Sequence, residues 1–132
     1  MPIHHEVDDL EKQISAFEDE IRRRKKRVEQ LKKEIKEATE FVARCKFGRD
    51  LCLKNLKRIK NEYIVPLEDY KGMLKLYHDN CDLLVQHQIV LASRNNEIQH
   101  IETEYIPFLE SSISDCKRRL SKWGQLISFK RP

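Results

Sequence analysis

Glycine, proline and uninterrupted apolar sequence are all scarce in this chain, and each scarcity excludes something. Only 39% of the 132 residues are hydrophobic against 36% charged, with three glycines and four prolines. That balance is too polar for a thick globular core and close to that of long helices carrying a narrow apolar seam. No segment alternates apolar and polar residues at period two over a useful length, so strands are not expected. Apolar runs such as Ile89-Val90-Leu91-Ala92 fall far short of the roughly 18 residues that begin to suggest a membrane span. The opening Met1-Pro2-Ile3-His4-His5-Glu6 lacks the positive region and apolar core of a signal peptide, which points to an intracellular, reducing compartment. Cysteines 45, 52, 81 and 116 are then expected as free thiols. They form no C-x-x-C pair and have no histidine at ligand spacing, so they read as small seam-filling residues rather than a zinc site. A glycine-rich phosphate loop, a nucleophile elbow and a metal-ligand cluster are all missing, and neither catalysis nor a cofactor is expected.

What the chain does have is a heptad. From Ile3, alternating steps of four and three residues pass Val7, Leu10, Ile14, Phe17, Ile21, Arg24, Val28, Leu31, Ile35, Ala38, Val42 and Cys45. The same phase continues through Leu56, Tyr63, Tyr70, Tyr77, Leu84, Leu91 and Ile98 to Phe108, and 25 of its 31 positions are apolar. A register sustained this long specifies coiled-coil helices. Leu31, Ile35, Val42, Leu56, Tyr63, Tyr70, Tyr77, Leu84, Leu91 and Ile98 are the expected partner-binding seam. Replacing Leu31 and Ile35 with polar residues should then abolish association. Residues 74–92 add Leu74, Leu76, Leu83, Val85, Ile89 and Val90 beside the seam, a width that asks for more neighbours than a two-stranded coil supplies.

Three places disturb the pattern. Gly48 followed by Asp50 could end one helix and cap the next. Pro66 and Pro107 lack an amide donor, so each must kink a helix or begin one. Beyond Pro107 the apolar phase slips by one, to Leu109, Ile113, Cys116, Leu120, Trp123 and Ile127. The expected fold is all-α in a single coiled-coil region over 1–132: a basic-rich helix over 3–62, an acidic helix over 66–105 and a short terminal helix over 108–127. Because the heptad phase runs through Pro66 without a slip, a long helix kinked there is preferred. An antiparallel hairpin or three-helix bundle is the alternative. A hairpin centred near residue 64 would set Arg24 and Lys26 opposite Glu104 and Glu102.

Charge falls in blocks. Residues 1–20 carry a net −6, residues 21–60 a net +11, residues 61–116 a net −7 and residues 117–132 a net +6. Blocks of this size act over about a Debye length, roughly 8–10 Å at ordinary salt, and can select register and orientation. The densest is Arg22-Arg23-Arg24-Lys25-Lys26-Arg27, continuing into Lys32, Lys33 and Lys36. It suits an acidic protein surface such as tubulin, nucleic acid or a nuclear import receptor, and equally a solvated face. Glu18, Asp19 and Glu20 stand four residues before Arg22, Arg23 and Arg24, the favourable order for intrahelical pairs. Aromatics that could stack on bases are absent beside the cluster, which argues against nucleic acid.

Asn80, His87 and Arg94 recur at seven-residue spacing within the seam and read as register-setting or partner-facing groups; His87 as a metal ligand has no companions. Tyr63, Tyr70 and Tyr77 crowd a two-stranded seam and suit small residues supplied by a different chain, which favours a hetero-oligomer.

Two stretches carry a family resemblance: residues 31–42, Leu-Lys-Lys-Glu-Ile-Lys-Glu-Ala-Thr-Glu-Phe-Val, with the basic segment from Lys54 to Lys60, and later residues 98–110, ending Tyr105-Ile106-Pro107-Phe108-Leu109-Glu110. In this order they resemble the coiled-coil region of certain cilia- and flagella-associated proteins, some of which tether inner dynein arms to axonemal microtubules. The proline inside the second motif departs from that pattern. The resemblance spans residues 28–113 and implies an axonemal or microtubule-associated scaffold. The expected function is a non-catalytic coiled-coil scaffold or adaptor that binds other coiled-coil proteins, with tubulin or another acidic surface as a further partner and no membrane. The rival is a polyanion- or nucleic-acid-binding module using residues 22–36. The expected setting is the cytoplasm, at the cytoskeleton or cilium, with the nucleus left open.

Overall fold

A computed structural model describes the backbone of residues 2–61 and 66–130 and the side chains of residues 5–61 and 66–124. Among the described residues only Asn61 and Pro66 lie outside a helix, and no strand forms, so the chain is all-α. Helix α1 runs Pro2–Lys60 and helix α2 Leu67–His100. A π-helical turn at Ile101–Tyr105 leads into helix α3, Ile106–Lys130. No helix among the described residues is long and apolar enough to cross a membrane.

The heptad seam is read correctly along α1. Its buried residues are Leu10, Val28, Leu31, Val42, Cys45, Cys52 and Ile59, every one on the seam. What covers that seam differs from the preferred expectation. The chain does not continue as a rod kinked at Pro66. It reverses, and the antiparallel alternative is the one observed. Two compact units result, one of Met1–Gln30 with Glu97–Pro132, the other of Leu31–Asn96.

In the unit Leu31–Asn96, the first half and the second run antiparallel. Glu34 meets Arg94, Phe41 meets His87 and Cys52 meets Asn80, contacts that a straight rod cannot make. Val42, Cys45 and Leu84 form the buried core, with Phe41 and Leu91 packed against it. In the other unit the register is likewise antiparallel. Arg27 pairs with Glu97, Arg24 lies over the Tyr105 ring and the Cys116 thiol reaches Gln13. The charge blocks thus predicted the register better than phase continuity did. Heptad phase is a property of each helix face and survives any connection of suitable length, whereas opposite charge constrains which residues can lie side by side.

Three local expectations are settled by geometry. Gly48 does not break α1: no glycine has a positive φ, and the helix continues through it. Its role is close approach, since a Cβ there would stand 3.0 Å from Asn80 Oδ1. Pro66 sits just before α2, where its carbonyl accepts the Tyr70 amide at 3.2 Å, an N-terminal position in which the missing donor costs nothing. Pro107 lies in the first turn after the π-helical turn. Its ring would clash with the carbonyl four residues back in a regular α-helix. Widening the preceding turn, with the Ile106 amide bonded to the Ile101 carbonyl five residues back, relieves that clash. The wider turn also inserts one residue into the helical count. It accounts for the one-residue phase slip: burial steps from Leu84 and Ile101 to Ile106, Leu109 and Cys116.

Candidate interaction surface

Most of the expected partner-binding seam is spent inside the chain. Leu31 is fully buried, and Val42 and Leu84 are core residues. Ile35, Leu56, Leu91 and Ile98 are half-buried, as is Tyr77, while Tyr70 is exposed. Tyr63 lies outside the described residues. Leu31 and Ile35 are therefore fold residues, and making both polar would damage folding before it touched any partner. Of the aromatic stripe, Tyr77 has neighbours within the chain. Tyr77 lies near Arg49 and Asp50, and its hydrogen bond with the Cys81 thiol raises its pKa above the ordinary phenol value.

The polar seam residues likewise find their partners at home. Arg94 Nε stands 3.0 Å from Glu34 Oε2, an ion pair without hydrogen-bond alignment, since each atom is otherwise unmatched. His87 packs on Phe41 with ring centroids 4.1 Å apart. The Asn80 amide donates to the Leu76 carbonyl at 3.0 Å and approaches Cys52 Sγ at 3.9 Å. Each fixes the register of one helix against the other.

The basic cluster is mostly engaged. Arg22 pairs with Asp19, Arg23 with Glu20 at 2.7 Å, and Arg24 with Glu20 at 2.9 Å. Those contacts mix three- and four-residue spacings, because the long guanidinium fork reaches either carboxylate on the same face. Arg24 also lies 4.1 Å from the centre of the Tyr105 ring, a cation–π contact that orients it inward. The Arg23 and Arg24 hydrogen bonds hold the Glu20 carboxyl below its ordinary value. Arg27 reaches across to Glu97 at 3.0 Å, and Lys32 too has a partner of its own. Lys25, Lys26 and Lys33 remain exposed. The arginines of the cluster are thus bound to the chain's own carboxylates, and these lysines carry the charge left for a partner.

The exposed surface that stands out is apolar. In the unit Leu31–Asn96, Leu76, Leu83, Val85, Ile89 and Val90 of α2 all face solvent, Ile89 at 64%. The sequence had marked this helix as too wide for a two-stranded seam. On α1, Phe47 is 71% exposed and Leu51 48%. Those two were missed, although a signal was present: both are large apolar residues off the heptad positions, where a two-stranded coil carries polar groups. Elsewhere in the same unit an open groove of about 320 Å³ is lined by Glu34, Glu37, Ala38, Phe41, His87, Val90 and Arg94. Among the described residues, no group of three or more histidine, cysteine, aspartate or glutamate side chains could hold a metal ion. Compared with known proteins, the chain matches no family model, no curated protein and no solved structure.

Proposed function

We propose that the chain is a non-catalytic coiled-coil scaffold or adaptor subunit of a larger helical assembly. One observation carries this reading. Of the eleven large apolar side chains exposed among the described residues, ten lie in the unit Leu31–Asn96 and only Phe108 outside it. Scattered exposed apolar residues are ordinary, but a concentration on one unit marks an interaction surface. A helix that is apolar on most of its faces, as α2 is over residues 76–90, needs neighbours on more than one side. The groove side chains are already engaged with one another, Phe41 with His87 and Glu34 with Arg94, which supports a binding rather than a catalytic role. Other coiled-coil proteins are the proposed partners in a hetero-oligomer. The sequence resemblance favours an axonemal or microtubule-associated setting, with tubulin as a further acidic partner.

Co-purification of the tagged chain from its native cells, followed by a salt series on the recovered complex, tests this. A partner held by apolar contacts should survive high salt. Loss of all partners with a steep salt dependence would favour the polyanion-binding reading instead.

A further inference from the structure

A second heptad seam runs along the outside of the unit Leu31–Asn96, and it is written in two complementary halves. On α1, Arg44, Phe47, Leu51 and Lys54 succeed one another at steps of three and four residues, all exposed. They lie on the face turned away from Val42, Cys45 and Cys52. On α2, Leu76, Asp79, Leu83, Gln86 and Val90 follow the same alternation on a face beside the seam that buries Leu84. Both stripes have the spacing by which one helix packs on another. Their charges are opposite: the α1 stripe is closed at each end by a cation, whereas the α2 stripe holds Asp79 and has Asp82 at its edge. Among the described residues none of these four charged groups has an ion-pair partner within the chain.

We propose that a second copy of this chain covers the α2 stripe, docking with its own Phe47–Leu51 stripe so that Arg44 or Lys54 meets Asp79. The proposal rests on the reading of the chain as an assembly subunit and names the first neighbour in that assembly. The contact is heterologous in this arrangement, the two stripes of one molecule engaging two different neighbours. Each docked copy leaves one stripe of each kind open, and association continues into chains or closes only as a ring. Phe47 is the anchor, because a protruding aromatic entering an apolar stripe dominates such interfaces.

Sedimentation of the full chain over a concentration series tests this. Wild type should form species beyond the dimer as concentration rises. Phe47→Asp spoils the first face and Leu76→Asp with Leu83→Asp the second. Each variant alone should lose at least about tenfold in association constant, the loss expected of a hot-spot anchor. Mixed in equal amounts, the two should restore association but stop at a dimer, since each retains the face the other lacks. Should the apolar variants fail to fold by circular dichroism, Arg44→Glu with Lys54→Glu on one chain and Asp79→Lys on another test the contact through surface charge: each alone sets like charges face to face and should lose association, and the mixture, opposite in charge at both contacts, should regain it and grow beyond the dimer. A wild type that stays monomeric throughout overturns the proposal, as does a wild type that stops at a dimer or a mixture that does not associate. A monomer that still co-purifies with other helical proteins through Phe47 overturns self-association and leaves the scaffold reading standing. A monomer that recovers nothing removes both.

Discussion

The units Met1–Gln30 with Glu97–Pro132 and Leu31–Asn96 are built from the same kind of antiparallel helix pairing, yet they spend their side chains differently. The first buries Leu10, Val28, Ile101, Ile106, Leu109 and Cys116 and sets charge beside them, Arg27 on Glu97 and Arg24 between Glu20 and the Tyr105 ring. Among the described residues the second buries as many apolar side chains, Val42, Cys45 and Leu84 among them, and also leaves Phe47, Leu76, Val85 and Ile89 in solvent. The contrast is that the part richest in charge in the sequence is the more self-satisfied, while the part with the weaker charge signal has surface left over. Ion pairs close to each other on one helix consume the potential that would recruit a partner. Apolar side chains off the seam cannot be satisfied within a two-helix pairing at all.

The π-helical turn belongs to the first unit only and offers the sharpest way to break the comparison. Deleting Glu102 together with Pro107→Ala should convert that turn to regular α-helix while keeping Ile101 and Ile106 on one face, because the step between them falls from five residues to four. A cooperative thermal transition is expected to survive. Deleting Lys25 from α1, which has no wider turn to absorb the loss, rotates the following seam by about 100° and should abolish that transition. Equal damage from both deletions would show that the turn does not set the phase.

Burial in the second unit should separate core from surface. Leu84→Ala is expected to cost about 2–5 kcal/mol in denaturant unfolding, by loss of buried contacts and the cavity left behind. Ile89→Ala, at an exposed site, should change stability by less than about 0.5 kcal/mol. A large effect at Ile89 in dilute monomer would mean that the apolar face of α2 is already covered within the chain.

The glycines provide a finer contrast. Gly72 has nothing within 4 Å of an added Cβ, so Gly72→Ala should stabilise α2 by about 0.5–1 kcal/mol through backbone entropy and helix propensity. Gly48 faces Asn80, and Gly48→Leu should destabilise by about 1–3 kcal/mol through overpacking between the two helices. Similar responses at the two sites would remove the close-approach explanation for Gly48.

The smallest effect is in acid and belongs to the first unit. The hydrogen bonds from Arg23 and Arg24 hold the folded-state pKa of Glu20 below the ordinary value of 4.5. Its contribution to stability is therefore fully present above 4.5 and fades as the pH falls through the lowered folded value. A carboxyl titration by NMR should place the Glu20 midpoint below 4.5, and Arg23→Gln with Arg24→Gln should return it toward that value. A midpoint that both replacements leave unmoved would show that the pairs are not formed in solution.

Helical class and the identity of the inward face were legible in the residues, since a period of three and four is enough to place Leu10, Val28, Leu31, Val42, Cys52 and Leu84 on the buried side. The phase slip after Pro107 was legible too, because a periodic pattern records an inserted residue wherever the backbone puts it. Periodicity is local, though: it states which face must be covered and is silent on what covers it. Only the tertiary structure decided that the chain covers its own seam, that Gly48 marks close contact instead of a helix end, and that the arginines of the basic cluster answer to Glu20, Glu97 and Tyr105. Each of those depends on which distant residue lies alongside, and that follows from the reversal of the chain, which brings Arg27 to Glu97, Arg94 to Glu34 and Asn80 to Gly48, and which heptad phase, unchanged on either side of it, does not record.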